Sequence, residues 1–498
     1  MGMKNFYKDF YSRCDHDRIQ DKMHEECGVF GIYSNDSFDV ARMTYYGLYA
    51  LQHRGEESAG IAVNDSGRII YRKDMGLVPD VFDPVVLNHL KGSSAIGHVR
   101  YSTTGASMLE NAQPIVVKYK NGQMALAHNG NIVNAHRLRS RMEESGAIFQ
   151  STNDTEVIAN LISRFRISSE NIEETLPKVM EELRGSYALV ILTPKRLVGI
   201  RDPLGIRPLC IGRLENSYIL ASESCALDAV GATFMRNVEA GEIVLISADG
   251  LTAVQTSNMN YRGVESKTPA TQGTKDTRLC IFEFVYLARP DSVIDGASVH
   301  KARLEAGREL ARQHPADADI VIGAPDGGLI AALGFSRESG IPYAQGLLKN
   351  RYVGRTFIQP EQGQRELGVM IKFNAIRSEI EGKKIVMVDD SIVRGTTTRR
   401  IVQMLKDAGA SEVHMRVSSP PYKFPCHFGI DTPSKKHLVA SRYSVEEIKD
   451  IIGADSLGYL SLDGLLKAPI GVRCGLCTAC FNGEYPMEVP DEANKFAL

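Results

Sequence analysis

The alternation of apolar and polar positions changes character once along the chain. Between residues 27 and 250 it consists of short apolar runs broken by Gly-rich turns, among them CGVFGIY (27–33), SAGIAV (58–63), AIGHVRYS (95–102) and YALVILT (187–193). Runs of this length and composition predict β-strands. Helical periodicity interrupts them from Val40 to His53 and from Thr155 to Arg166, the latter with Asp154 at the position of an N-cap. The combination predicts a layered α+β domain with a large share of antiparallel sheet. The stretch from Thr256 to Thr277 carries few large apolar residues and predicts a linker or surface strap. Beyond it, helices alternate with short, continuously apolar strands. ADIVIGAP (318–325) and KKIVMVDD (383–390) read as buried parallel strands, and TTTRRIVQMLKDAGA (396–410) as a helix stopped by Gly409. That βα unit belongs to an open α/β sheet, whose binding site is expected beyond the carboxyl ends of its strands. The sequence contains no internal repeat and no low-complexity segment.

At 498 residues, 43% of them hydrophobic, the chain is long enough for two or three domains with full cores and no disulfide staples. The 58 Lys and Arg nearly balance the 60 Asp and Glu, for a net charge of −2, so long-range steering onto nucleic acid is not indicated. No apolar run is long enough for a transmembrane helix. Residues 1–26 hold five Lys or Arg and six Asp or Glu, with no apolar core, which excludes a secretory signal and argues against a transit peptide. The expected compartment is the cytoplasm, where thiols stay reduced. The nine cysteines, an odd number, argue against a disulfide framework, and Cys474-x-x-Cys477-x-x-Cys480 has a metal-type spacing.

The chemistry of the second half concentrates after KKIVMVDD. Asp389 and Asp390 end the strand, and Ser391, Arg394, Gly395, Thr396 and Thr397 form a short loop that opens a helix. Helix N-terminal amides and hydroxyls suit a phosphate, and adjacent carboxylates suit sugar hydroxyls or hydrated Mg²⁺. The P-loop and dinucleotide-binding glycine patterns are absent. Residues 383–397 resemble the signature of type I phosphoribosyltransferases, which bind phosphoribosyl pyrophosphate. The resemblance implies that the carboxylates hold the ribose hydroxyls and help place Mg²⁺, while the loop cradles the 5-phosphate.

In the first half, LQHRGEESAGIAV (51–63), GHVRYSTTG (97–105), QPIVV (113–117), AHNGNIVNA (127–135) and STNDTEVIA (151–159) follow Cys27 in the order found in glutamine amidotransferases of the N-terminal-nucleophile class, which they resemble. In that class the nucleophile is the first residue of the mature chain. Its α-amino group, ordinarily with a pKa of about 7.7–8.0, is the general base. The resemblance therefore implies that residues 1–26 are a leader removed after Glu26. It implies oxyanion donors in the Asn129 side chain and the Gly130 backbone N–H, glutamine-carboxylate binding by Arg100 with Thr103 beside it, and ammonium binding by Asp154.

Cys280, in front of IFEFVYLARPDS, and Cys426, in SSPPYKFPCHFGIDTP, complete a further pattern with CTACFNGEYP. All three resemble the subgroup of this enzyme family that makes a leader and binds a 4Fe–4S cluster. The resemblance implies Cys280, Cys426, Cys477 and Cys480 as ligands. Spacing alone permits Cys474 in place of Cys477, and Cys210 and Cys225 read as buried core. KNRYVGRTFIQPEQGQRELGVMIK (349–372) is basic and Gly-containing, with five Lys or Arg against two Glu. By resemblance it closes over phosphoribosyl pyrophosphate, with Lys349 and Lys372 as phosphate contacts. Leu367 and Met370 stand where relatives carry basic residues.

Together the halves resemble the amidophosphoribosyltransferase family. The implied fold is an α+β N-terminal-nucleophile hydrolase domain of four αββα layers (27–262), then an α/β type I phosphoribosyltransferase domain (263–471) and a C-terminal cysteine segment (472–498). The implied reaction turns glutamine, phosphoribosyl pyrophosphate and water into 5-phosphoribosylamine, glutamate and pyrophosphate, the committed step of purine synthesis. Feedback inhibition by purine nucleotides and a homotetramer are implied as well. Two rivals are weighed. VMVDDSIVRGTT argues against another amidotransferase such as a glucosamine-6-phosphate or asparagine synthetase. Intact Cys27, Arg100, Asn129 and Asp154 argue against a non-enzymatic iron–sulfur regulator that senses phosphoribosyl pyrophosphate. One departure remains. Many relatives read Pro-Asp-Ser-Gly where this chain has Pro325-Asp326-Gly327-Gly328, so Gly327 offers only backbone to pyrophosphate. On sequence grounds Gly327→Ser is expected to change kcat/KM for phosphoribosyl pyrophosphate by less than about tenfold.

Overall fold

In the computed structural model, the described residues are 27–101, 108–256, 277–350, 373–432 and 434–490. The expected leader, Thr103, Lys372, Leu367, Met370 and most of the polar stretch between Thr256 and Thr277 lie outside them.

The first half contains strands β1 (Gly28–Tyr33), β2 (Ser58–Asp65), β3 (Arg68–Met75), β4 (Ser94–Arg100), β5 (Ile115–Tyr119), β6 (Gly122–Ile132) and β7 (Gly185–Leu192). It continues with β8 (Leu197–Arg201), β9 (Cys210–Leu214), β10 (Ser217–Ala221), β11 (Thr233–Asn237), β12 (Glu242–Ser247) and β13 (Gly250–Gln255). They form two antiparallel sheets, ordered β11-β9-β10-β1-β4-β2-β3 and β13-β12-β8-β7-β6-β5. Alternation along β1 shows how the layers arise. Val29 packs with Ala125, Ala188 and Val244 of the facing sheet. Phe30 points the other way, onto helix Val40–Ala50 and helix Ser224–Ala229. The second sheet is covered likewise by helices Ala135–Glu144, Asp154–Phe165 and Ile172–Glu182. Four layers, helix–sheet–sheet–helix, result.

Two local readings are corrected. The first helix stops at Ala50 and gives way to a 3₁₀ turn, Gln52–Arg54, instead of running to His53. There the Arg54 side chain is drawn into buried ion pairs with Glu223 and Glu283. The cap of the helix that begins at Asp154 is Asn153, whose side chain accepts the Thr155 N–H at 2.9 Å. Asp154 is the first helical residue, and its carboxylate is left for other partners.

In the second half β14 (Leu279–Cys280), the short hairpin β15 (Val293–Ile294) and β16 (Ala297–Ser298), β17 (Ile320–Gly323), β18 (Leu347–Lys349) and β19 (Phe373–Ala375) precede β20 (Lys384–Asp389), β21 (Glu412–Val417), β22 (Ser456–Tyr459) and β23 (Leu476–Cys477). The sheet β17-β20-β21-β22 is parallel throughout. Helices Val299–Gln313 and Gly328–Ser339 cover one face, and Thr396–Asp407 and Val445–Ile452 the other. β17 (IVIG) and the centre of β20 (Ile385–Val388), buried on both faces, are apolar throughout, which explains their unbroken runs in the sequence, whereas β21 alternates Val413, Met415 and Val417 with His414 and Arg416. The halves share a core, since Leu204 and Ile206 pack in the same cluster as Cys280, Cys426 and Phe428.

Candidate functional site

Cys27 immediately precedes β1, whose neighbour β4 ends at Arg100, with Gly28 opposite Val99. The Cys27 thiol is buried and donates to the Tyr101 carbonyl at 3.5 Å. Burial pushes it up to about 11, against the opposing influence of that carbonyl contact and of Arg100. A thiol so placed needs a base to become a nucleophile. Arg100 is buried and ion-paired with Glu57.

β6 supplies the other side of the site. The Asn129 side chain is fully buried, and neither its amide N nor its O has a hydrogen-bond partner among the described residues. Along the same strand the His128 N–H donates to Gln113 Oε1 at 2.8 Å and the Ile132 N–H to Asp154 Oδ2 at 2.9 Å. Strand alternation turns the Gly130 N–H to that edge, between the two. Gly130 has φ +145°, and a Cβ there would meet the Ser186 carbonyl at 2.1 Å. Asp154 Oδ1 lies 3.4 Å from His128 Nδ1. Burial raises the Asp154 carboxyl, but His128 and the Ile132 N–H more than offset this and hold it below the usual range. Cys27, Arg100 and Asp154 thus share one buried neighbourhood, beside the strand that carries Asn129 and Gly130.

The second site lies at the carboxyl ends of β17 and β20. Asp389 and Asp390 are both buried. Asp389 Oδ1 accepts the Asp390 N–H at 2.9 Å, and Asp390 Oδ1 accepts the Ser391 hydroxyl at 2.7 Å. Asp390 Oδ2 has no hydrogen-bond partner among the described residues. Gly395, at φ +83°, turns the chain into helix Thr396–Asp407, so that Thr396 and Thr397 open the helix after the loop from Ser391 to Arg394. Across the cleft, Lys349 ends β18 and forms an ion pair with Asp326. Gly327 and Gly328 begin the helix after β17, and a Cβ on Gly327 would sit 2.0 Å from Asp390 Oδ2.

Four cysteines meet in a third place. Parallel pairing of β14 with β23 sets Cys280 opposite Cys477. Cys280, Cys426, Cys477 and Cys480 line one small, largely apolar pocket with Ile206 and Phe428. Burial pushes the Cys477 thiol up to about 11, and those of Cys280 and Cys480 higher. Cys474 does not line this pocket; its thiol donates to Asp295 Oδ2 at 3.6 Å. Cys210, on β9, and Cys225, on helix Ser224–Ala229, are buried in the same core cluster. Among the described residues no group of three or more His, Cys, Asp or Glu is arranged to hold a single metal ion.

Several participants had no role in the sequence reading. Glu57 and His128 sit inside the motifs HRGEES and AHNGN, but their partners are distant: Glu57, just before β2, pairs with Arg100 at the end of β4, and His128 on β6 with Asp154 at the start of a helix. Asp326 precedes the glycine pair that drew attention, and its partner Lys349 is 23 residues away.

Comparison with known proteins gives one reading for both halves. A glutamine amidotransferase domain matches residues 98–229, and a phosphoribosyl transferase domain matches residues 297–421. The amidophosphoribosyltransferase of Archaeoglobus fulgidus is 51% identical over 468 residues, 94% of this chain and 99% of that protein. The amidophosphoribosyltransferase of Bacillus subtilis is 48% identical over 473 residues, 94% of this chain and 95% of that protein. Among solved structures, the B. subtilis glutamine phosphoribosylpyrophosphate amidotransferase in complex with ADP and GMP superposes with a TM-score of 0.84 at 46% identity, covering 94% of this chain and 98% of that one.

Proposed function

The chain belongs to the amidophosphoribosyltransferase family, and from that premise we propose how its own residues divide the work. The reaction is transfer of glutamine nitrogen to phosphoribosyl pyrophosphate, giving 5-phosphoribosylamine, glutamate and pyrophosphate at the entry to purine synthesis. The observation that carries the division is the presence of two separate buried sites in one chain, a thiol beside β6 and a carboxylate pair at the end of β20.

At the first site Arg100 takes the glutamine carboxylate and Asp154 its ammonium, so the amide carbon is presented to Cys27. The pKa of about 11 makes a neighbouring base necessary. That base is the α-amine of Cys27 once residues 1–26 have been removed. It accepts the thiol proton as sulfur attacks. The oxyanion is stabilised by the Asn129 side chain, whose buried amide is unpartnered, and by the Gly130 N–H. One such donor is typically worth about 3–4 kcal/mol. Collapse of the tetrahedral adduct releases ammonia, and water then hydrolyses the thioester to glutamate. Ammonia passes to the second site and attacks C1 of phosphoribosyl pyrophosphate, from which pyrophosphate departs with the bonding electrons. Ser391, Gly395, Thr396 and Thr397 hold the 5-phosphate with Arg394 nearby. Lys349 and the backbone at Gly327 face the pyrophosphate, and Lys372 joins them.

Two inorganic groups fit residues present. The unpartnered buried oxygen of Asp390, beside Asp389, is a hard donor suited to Mg²⁺, which would neutralise charge on the leaving pyrophosphate. Four thiols around one pocket suit a 4Fe–4S cluster held by Cys280, Cys426, Cys477 and Cys480, which would tie β14, β23 and the Cys426 turn together. Purine nucleotides are proposed as inhibitors, supported by the ADP and GMP in the B. subtilis complex. We further propose a homotetramer in the cytoplasm. Among the described residues no helix is long and apolar enough to cross a membrane.

The test is separation of the two sites. Cys27→Ala should abolish glutamine-dependent pyrophosphate release yet leave synthesis from concentrated ammonia, whereas Asp389→Asn with Asp390→Asn should abolish both. Loss of ammonia-dependent synthesis in a folded Cys27→Ala protein would overturn the division. Intact mass of the active enzyme should show Cys27 as its first residue.

A further inference from the structure

The strand that carries Asn129 and Gly130 is backed by a turn from the other half of the molecule. Asn131 Nδ2 donates to the His427 carbonyl at 2.9 Å. The Ser186 hydroxyl, on the strand paired with Gly130 and Asn131, donates to the Phe428 carbonyl at 2.7 Å, and Arg207 Nε donates to the same oxygen at 2.9 Å. Next in the chain, Gly429 has φ +110°, a conformation that L side chains rarely adopt. A Cβ on Gly429 would lie 3.2 Å from both the Cα and the carbonyl carbon of Gly130, and 3.1 Å from Arg207 Nη2. Two glycines from distant parts of the sequence therefore pack back to back. Gly130 has no room for a Cβ beside the Ser186 carbonyl, and Gly429 is held by a turn that folds around Cys426, whose sulfur accepts the Phe428 N–H at 3.3 Å. Neither glycine has room for a side chain, so Gly130 and Gly429 approach each other as bare backbone.

We infer that Gly429, with the His427–Phe428 carbonyls, is a positioning element for the glutaminase centre, supplied in cis by the phosphoribosyltransferase half. Its task is to fix the direction of the Gly130 N–H. This rests on the proposed role of Gly130 as an oxyanion donor. An oxyanion donor acts in the transition state far more than on bound glutamine. A misdirected Gly130 N–H therefore lowers kcat for glutamine and leaves KM nearly intact, because Arg100 and Asp154 belong to other elements. The second site is not involved, so synthesis from ammonia is retained.

The experiment uses the full-length enzyme with either nitrogen source. Gly429→Ala is expected to lower glutamine kcat by about tenfold or more, with KM for glutamine within about threefold and ammonia-dependent kcat within about twofold. Asn131→Ala removes one of the cross-half donors without backbone strain. It should move the same quantity in the same direction by a smaller factor, and it decides the matter if Gly429→Ala fails to fold. Parallel loss of both activities would show a merely structural role and overturn the inference. So would a rise in KM at constant kcat, or wild-type behaviour of Asn131→Ala. Absence of both activities from the wild-type protein would instead overturn the reading of function on which it stands.

Discussion

Replacing Gly327 by serine places a methylene where the second site already holds a carboxylate oxygen. Strands β17 and β20 are paired, with Gly323 opposite Val388, so the segments that follow them face each other. Gly327 has φ −66° and ψ −39°, ordinary right-handed geometry, and its backbone would accept any residue. The obstacle is the side chain of Asp390. A Cβ at 327 would stand 2.0 Å from its Oδ2, 2.8 Å from Cγ and 3.2 Å from its own Cβ. Carbon and oxygen at van der Waals contact need more than 3 Å, so the carboxylate must rotate away. Rotation gives up the Ser391 hydroxyl bond at 2.7 Å, worth about 1 kcal/mol, and forces a side-chain torsion off its minimum at about another 1 kcal/mol. About 2 kcal/mol corresponds to about a thirtyfold loss in kcat/KM for phosphoribosyl pyrophosphate. The figure replaces the change of less than about tenfold expected from the sequence, where only the missing hydroxyl was weighed. The assay is the initial rate of pyrophosphate release at varied phosphoribosyl pyrophosphate, with saturating glutamine and separately with concentrated ammonia. Both should fall together. Gly327→Ala places the same β-carbon there without the hydroxyl and should lose as much. Wild-type kinetics in both variants would show that Asp390 does not need the position it holds, and would refute the reasoning.

Two further outcomes follow from buried groups. Anaerobically purified protein should be brown, with about four iron atoms per chain. Cys280→Ser and Cys477→Ser should lose the iron and Cys474→Ser should keep it, and stoichiometric zinc in place of iron would rule out the cluster. Glu283 lies between Arg54, whose Nη2 is 2.5 Å from its Oε2, and Arg207 at 3.6 Å, all of them buried. Glu283→Ala leaves two guanidinium groups without that partner and should destabilise the protein by about 3–5 kcal/mol, read from the midpoint of urea unfolding.

Much of the architecture was written in local patterns. The continuous apolar run Ile385–Val388 before Asp389–Asp390 gave the parallel strand, because burial on both faces keeps its central positions apolar. Cys27, Asn129, Gly130 and Asp154 were legible as a set because their motifs are contiguous and their chemistry is specific to type. The mistaken cap shows where such reading stops. Asp and Asn are both good caps, and the sequence offers Asn153-Asp154 side by side. Only the position of Ile132, whose N–H needs an acceptor at the open edge of β6, decides that Asp154 turns inwards and Asn153 caps the helix.

The residues that escaped notice share one property: their meaning lies in a partner far away along the chain. Glu57 becomes significant beside Arg100, Asp326 beside Lys349, and Gly429 against Gly130, separations that no local periodicity encodes. Gly327 is the clearest instance. Read alone, it is a missing hydroxyl; read against Asp390, it is the absence of a side chain that lets a carboxylate occupy the same space. A glycine next to a site can thus be required for what its neighbour must do, and the distinction from a tolerated loss rests on distances of 2.0 and 2.8 Å that only the packed strands define. The same logic applies at Gly429, where φ +110° and contact with Gly130 turn a connecting residue into part of the other half's active site. The two halves share a core, and they meet at such points, where the backbone of one limits the backbone of the other.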